Sequence, residues 1–251
     1  MTTILKLGGS VLTEKDRPET VDESNLRRAA TAVARAATLA ESAAGDQDLV
    51  VVHGGGSFGH HHAADHAVTT TDGTRDPAAV RAIHGAMKRL NGAVVEALAE
   101  DGCPALPVHP LSAARRDVAG ELSLPVEVVQ SMLEEGFVPV LHGDVVVHVD
   151  HGATILSGDE VVVSLGSALD ADRVGVCSAV PGVLDDGDVV ARVESLADVE
   201  DVLGGSAATD VTGGMAAKVR ELLALDAPAY IFDLEALPEF LGGEEPGTRI
   251  G

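Results

Sequence analysis

The chain predicts an α/β fold, a parallel or mixed sheet covered by helices. Two observations carry this expectation. Short apolar runs alternate with segments of 3.6-residue apolar period along the 251 residues, and several of the runs end in glycine-bearing turns that open a helix. The apolar runs place strands at 2–7, 48–53, 105–108, 138–141, 173–177 and 229–232, and the periodic segments place helices at 24–43, 77–100, 125–135, 159–169 and 213–225. Gly143-Asp144-Val145-Val146-Val147-His148-Val149, followed by Asp150-His151-Gly152 and an apolar stretch to Leu156, reads as a β-hairpin turning on Gly152. No repeat or low-complexity linker interrupts the pattern, so one domain over 1–251 is expected, with a soft division near residue 170.

Composition narrows the partners. Forty acidic residues against seventeen basic give a formal charge of -23, spread along the chain. Such a surface suits concentrated salt, where a Debye length of about 3 Å at molar strength screens self-repulsion. The 45% hydrophobic content excludes a disordered acidic protein. Nucleic acid and anionic membrane are excluded as partners, because binding either starts by neutralising phosphates; a small-molecule ligand is expected. Cys103 and Cys177 lack metal-type spacing and indicate neither a disulfide framework nor a zinc site. The chain enters a strand at once and has no apolar run near 18 residues, so no signal peptide or membrane span is expected and a cytoplasmic location is.

Four lysines occur in the whole chain, and three of them sit where phosphate chemistry would use an ammonium. Lys6 lies in Leu5-Lys6-Leu7-Gly8-Gly9-Ser10, Lys15 follows nine residues on, and Lys218 ends Thr212-Gly213-Gly214-Met215-Ala216-Ala217-Lys218. Lys15, between Glu14 and Asp16, would by itself read as a solvated charge cluster; the scarcity of lysine argues for function. Lys88, beside Arg89, reads as an exposed helix residue. A third glycine turn, His53-Gly54-Gly55-Gly56-Ser57-Phe58-Gly59-His60, follows a buried strand and leads into a helix, whose opening N–H groups make an anion site. Its residues also fit a dinucleotide fingerprint (Gly54, Gly56, Gly59), a hydrolase nucleophile elbow (Gly55, Ser57, Gly59) and a lipase oxyanion loop. Context disfavours all three. No strand ending in an acid follows at the spacing a dinucleotide needs, both hydrolase matches share one loop, and none explains the lysines. His60 stands where a Walker A loop requires lysine. Glycine turns with lysines beside them suit in-line phosphoryl transfer, in which N–H groups and ammonium ions surround the equatorial oxygens. Among the consecutive histidines, one functional residue with His61 and His62 as bystanders is expected; they lack a metal-type acidic partner. His53 reads as structural, and Ser57 as a turn residue or helix N-cap.

With Lys6 to Ser10, Lys15 and the glycine turn to His60, three further motifs carry a family resemblance: Pro139-Val140-Leu141-His142-Gly143-Asp144, Ile155-Leu156-Ser157-Gly158-Asp159 and Thr209-Asp210-Val211-Thr212-Gly213-Gly214-Met215-x-x-Lys218. The chain resembles the isopentenyl phosphate kinase branch of the amino acid kinase superfamily, most specifically at Gly-Gly-Gly-Ser-Phe-Gly-His. The resemblance implies a three-layer α/β/α sandwich with a mostly parallel sheet, a phosphate-acceptor half over 1–170 and a nucleotide half over 171–251. It implies ATP with Mg²⁺, isopentenyl phosphate as substrate and a homodimer. It assigns Lys6 and Lys218 to the ATP phosphates and transferring group, and Lys15 to the transition state. His60 would bind the substrate monophosphate, with Gly55, Gly59 and Gly158 lining it. Gly8, Gly9, Ser10, Gly56 and Gly213 would contact ATP through their backbone, Gly182 would lie by the nucleotide, and Asp144 would orient the lysines. Helix 77–100 would wall the isoprenoid pocket. The chain departs from the family at Cys177 to Leu184, where relatives read Thr-Asp-Val-Asp-Gly-Val-Tyr. A related kinase for a phosphonate such as fosfomycin, and a non-catalytic nucleotide-binding sensor or storage protein, are the alternatives.

Overall fold

The computed structural model describes residues 1–42, 48–199 and 214–251. The chain runs β1 (Thr2–Leu7), α1 (Gly9–Leu12), α2 (Glu23–Ser42), β2 (Asp48–His53), α3 (Gly56–Asp65) and α4 (Pro77–Glu100). It continues through β3 (Ala105–Pro107), β4 (Arg115–Arg116), β5 (Leu122–Ser123), α5 (Glu127–Glu134), β6 (Val138–His142), β7 (Asp144–His148), β8 (Gly152–Leu156) and α6 (Gly158–Ala168). The remainder is β9 (Arg173–Ser178), β10 (Leu184–Asp185), β11 (Asp188–Val189), β12 (Arg192–Val193), α7 (Gly214–Leu222), β13 (Ala229–Asp233), α8 (Leu237–Leu241) and β14 (Thr248–Ile250).

Among the described residues, eight strands form the main sheet in the order β12-β14-β13-β9-β1-β2-β6-β3. The pairs from β13 through β3 are parallel, and β14 runs antiparallel to β13. Alternation along each strand decides which layer a side chain joins. In β1, Leu5 and Leu7 join the core built with α2, α4 and α8, while Ile4 joins the one built with α6 and α7. Lys6 therefore shares the α6 face with Ile4. In β2 and β6 the same rule sends Val51 and Val140 toward α4, and His53 and His142 follow them. Helices on both faces of a mostly parallel sheet make the expected three-layer α/β/α sandwich.

The strongly patterned elements match expectation closely, and the helix of 77–100 is bounded by local chemistry: Asp76 Oδ1 accepts from Ala78 N at 2.8 Å, with Pro77 in the first turn. The hairpin pairs Val145 with Ile155 and turns through Asp150 (φ 68°) and Gly152 (φ 88°). A Cβ at Gly152 would strike the Thr74 carbonyl, so only glycine fits there. With β4 and β5 the hairpin forms a small second sheet over α4. No helix among the described residues is long and apolar enough to cross a membrane.

Candidate active site

Two lysines meet one carboxylate at the C-terminal end of β1. Asp159, in the first turn of α6, accepts from Lys6 Nζ at 2.5 Å and from Lys218 Nζ of α7 at 3.5 Å. The lysines are 153 and 59 residues from it in sequence, and the sheet brings all three together. Burial pushes the Lys6 ammonium down to about 8, against the attraction of Asp159 and with added repulsion from Lys218. For Asp159 burial raises the pKa, but the two ammonium groups and their hydrogen bonds outweigh it and hold the carboxylate below its ordinary value. Glu221, one turn beyond Lys218, is pushed up to about 7 by burial and then by Asp159 and Glu160. Asp159 Oδ1 and Glu221 Oε2 are buried and have no hydrogen-bond partner among the described residues.

The position of α6 is fixed by its cap. Ser157 Oγ accepts from Glu160 N at 3.0 Å while Glu160 Oε2 accepts from Ser157 N at 2.9 Å, a reciprocal box that satisfies two helix-end donors. Glu160 also pairs with Arg116 of β4 at 2.5 Å.

The glycine turns converge on the same point. A Cβ on Gly158 would sit 3.2 Å from Lys6 Cε and 3.7 Å from Gly54 Cα. Gly9 lies so close to Gly56 that a Cβ would overlap its backbone nitrogen, and Gly8 N donates to Cys177 O at 2.8 Å. Gly56 has φ +49°, the left-handed region in which glycine is favoured. The N-termini of α1, α3 and α6 are thus gathered around Gly54, so their opening N–H groups share one region with Lys6. Ser10 is exposed in α1. Gly55 and Gly59 pack beside His60 and Met87: a Cβ on Gly55 would lie 3.5 Å from His60 Cδ2, and one on Gly59 2.8 Å from Met87 Sδ.

A sequence model of the amino acid kinase family matches residues 1–227. The chain belongs to the amino acid kinase family. It is 63% identical over 248 residues to an isopentenyl phosphate kinase of Haloferax volcanii, covering 98% of this chain and 97% of the relative. It is 36% identical over 270 residues to one from Methanothermobacter thermautotrophicus, covering 98% of each. Among solved structures, one described as "X-ray structures of isopentenyl phosphate kinase" superimposes with a TM-score of 0.83 at 29% identity over 100% of both chains.

Within this amino acid kinase fold the structure moves one assignment. Asp144, expected to orient the lysines, instead holds α4: its carboxylate accepts from His84 Nδ1 at 2.9 Å and from Leu111 N at 3.2 Å. Asp144 opens β7 and reaches across to α4, whereas Asp159 opens the helix facing Lys6. Gly182 makes a tight approach to Thr248 and Val189. Gly213 lies outside the described residues. Ser57 falls inside α3, whose N-cap is Gly55, and its Oγ lies 3.4 Å from Thr20 N. His62 Nε2 donates to Glu19 at 2.6 Å.

Sequence reading missed Asp159 and Glu221. The first stood inside a quoted motif next to Gly158; the second is at i+3 from Lys218, the spacing of one helix face. It also missed a histidine chain behind the glycine turn. His142 Nδ1 donates to Gly143 O at 2.8 Å, leaving Nε2 to accept from His109 Nδ1 at 2.9 Å. His53 Nδ1 donates to Gly54 O at 3.1 Å, and its Nε2 accepts from Asn91 Nδ2 at 3.2 Å. Burial pushes His53 down to about 3 and lowers His142 and His109 as well, so these rings are neutral at pH 7.

Proposed function

We propose that the chain transfers the γ-phosphoryl group of ATP to isopentenyl phosphate, giving isopentenyl diphosphate and ADP. The observation that carries this reading is the pair of lysines joined by Asp159 beside the glycine turns, in a chain of this family. A phosphoryl group in flight needs positioning and charge neutralisation rather than covalent help. Lys6 and Lys218 supply two cations held at fixed places, and Gly8, Gly9, Ser10 and Gly56 supply backbone N–H groups for the ATP phosphates. On the acceptor side His60 takes the monophosphate, with Gly55, Gly59 and Gly158 lining it. A terminal oxygen of the monophosphate attacks the γ-phosphorus as the bond to the β-bridging oxygen breaks, and that oxygen leaves with ADP. Lys15 neutralises charge developing on the transferring oxygens. The isopentenyl chain would lie against α4, where Met87 meets Gly59, beside the apolar cluster of Ile83, Val145 and Ala153.

Mg²⁺ bound to ATP would add charge neutralisation at the β- and γ-phosphates. Such an ion takes most of its ligands from phosphate and water, with one or two carboxylates. The chain offers Asp159 Oδ1 and Glu221 Oε2, both buried without hydrogen-bond partners among the described residues. The acidic surface fits work in concentrated salt.

The test is ADP release with ATP, Mg²⁺ and isopentenyl phosphate in high salt, with fosfomycin run in parallel. Turnover of isopentenyl phosphate at a higher kcat/KM supports the reading. Turnover of fosfomycin alone would assign the chain to the related phosphonate kinases, and ATP binding with no turnover of either would make it a nucleotide sensor.

A further inference from the structure

We propose that Glu19 is a positioning residue for Lys15, clamping the loop that carries this lysine to the two helices flanking the acceptor side. The inference rests on the reading of Lys15 as a cation of the transfer step.

Lys15 is exposed on a loop between α1 and α2. A bridge between Thr13 and Val21 closes the loop at its base, and Glu14 N donates to Thr20 O at 3.0 Å. A closed loop still has to be oriented, and three contacts orient this one toward α3. Ser57 N donates to Thr13 Oγ1 at 2.9 Å, Ser57 Oγ lies 3.4 Å from Thr20 N, and Glu19 N donates to Ser57 O at 3.2 Å. Glu19 reaches that carbonyl with φ 47°, a left-handed conformation that disfavours a residue with a Cβ.

The side chain of Glu19 completes the attachment. Its Oε1 accepts from His62 Nε2 of α3 at 2.6 Å, and its Oε2 accepts from Arg89 of α4, from Nε at 2.9 Å and Nη2 at 2.6 Å. One carboxylate is thereby shared between the helix that follows the glycine turn and the helix that carries Met87. The hydrogen bond from His62, with those from Arg89, outweighs partial burial and holds the Glu19 carboxyl below its ordinary value, so it is ionised at neutral pH. Inside the loop Arg17 pairs with Glu14 at 2.9 Å. An exposed ion pair adds about 0–1 kcal/mol to global stability. The value of the Glu19–Arg89 pair lies in where it holds the loop: displacing a reacting group by about 1 Å can cost 10²-fold in rate.

A double-mutant cycle tests it, with kcat and the KM for ATP measured for wild type, Glu19→Gln, Lys15→Ala and the double variant. Arg89→Met serves as a second break of the clamp at an exposed position. We expect Glu19→Gln and Arg89→Met to lower kcat by about 10- to 100-fold with the ATP KM unchanged, and to have no further effect once Lys15 is alanine. Amide exchange at Glu14 should quicken in both clamp variants. A Glu19→Gln and an Arg89→Met with wild-type kcat, beside a slow Lys15→Ala, overturn the clamp and leave the role of Lys15 standing. Effects that add in full to Lys15→Ala overturn it too, because Glu19 would then act elsewhere. A Lys15→Ala with wild-type kcat overturns the reading of Lys15 itself, and the clamp with it.

Discussion

Replacing Asp159 with asparagine removes the anion between two ammonium groups while keeping the size of the side chain. Lys6 already sits at about 8 instead of 10.5, a bias against its charged form of about 3 kcal/mol at 1.36 kcal/mol per unit. Asp159 is the main influence opposing burial there. Removing one partner of a buried pair costs about 3–5 kcal/mol, and the amine escapes most of that by giving up its proton. A loss of about 3 kcal/mol corresponds to about two further units, enough to carry Lys6 from mostly charged to mostly neutral at pH 7. The assay is kcat/KM for ATP between pH 6 and 9.5, which reports groups of the free enzyme. Wild type should lose activity as pH rises through about 8. In Asp159→Asn that limb should shift toward acid, and the rate at pH 7 should fall about 10-fold, as the charged fraction of Lys6 drops from about nine-tenths to about one-tenth. Unfolding is separable by sign. A lysine whose folded pKa is depressed destabilises the fold below that pKa, and the penalty fades as pH rises from about 8 toward 10.5. Activity therefore falls over a range in which this group's contribution to stability improves. An Asp159→Asn enzyme with the wild-type limb near pH 8 and a rate within a few-fold would refute the argument.

Other perturbations separate the remaining roles. His60→Ala should impair turnover of isopentenyl phosphate while the dissociation constant for ATP, measured by calorimetry, stays near wild type. Lys88→Ala should be nearly silent in the steady-state assay, while Lys15→Ala slows kcat by about 10²-fold or more. Glu221, raised to about 7 in the fold, stabilises below its unfolded value near 4.5, and that contribution is lost as pH rises through about 7. Glu221→Gln should accordingly raise the melting temperature more at pH 8 than at pH 5.5. With a formal charge of -23, the melting temperature should drop on transfer from molar salt to dilute buffer; an unchanged value would show that surface repulsion does not limit this fold.

The sequence made the frame legible where one physical signal dominates. The strands 2–7 and 48–53 are short, mostly apolar runs, and 77–100 combines a cap, a proline and a long periodic stripe; all three match β1, β2 and α4 residue for residue. Short elements escaped, because the four residues of α1 and the three of β14 hold no period to read. Lys6 and Lys218 stood out by the rarity of lysine, whereas the acid between them did not, since this chain has forty. Asp144 and Asp159 both follow glycine-bearing motifs, and only the layer alternation of β1 decides that Lys6 faces α6. Glu19, His62 and Arg89 span 70 residues, and no spacing rule links a loop carboxylate to two separate helices.

The carboxylate shared by Lys6 and Lys218 also bears on what the site refuses. Two bare ammonium ions beside three helix N-termini would be a general trap for small anions, and in molar chloride such a trap would be filled. Asp159 acts as a built-in counterion. A monovalent ion must compete with it for both lysines at once and offers a single charge in return. A polyphosphate brings several charges on one rigid ligand and can engage the lysines, the backbone N–H groups and a divalent ion together. On the proposed reading the same carboxylate would be in place when ADP departs, and the lysines would regain their partner without waiting for an ion from solution.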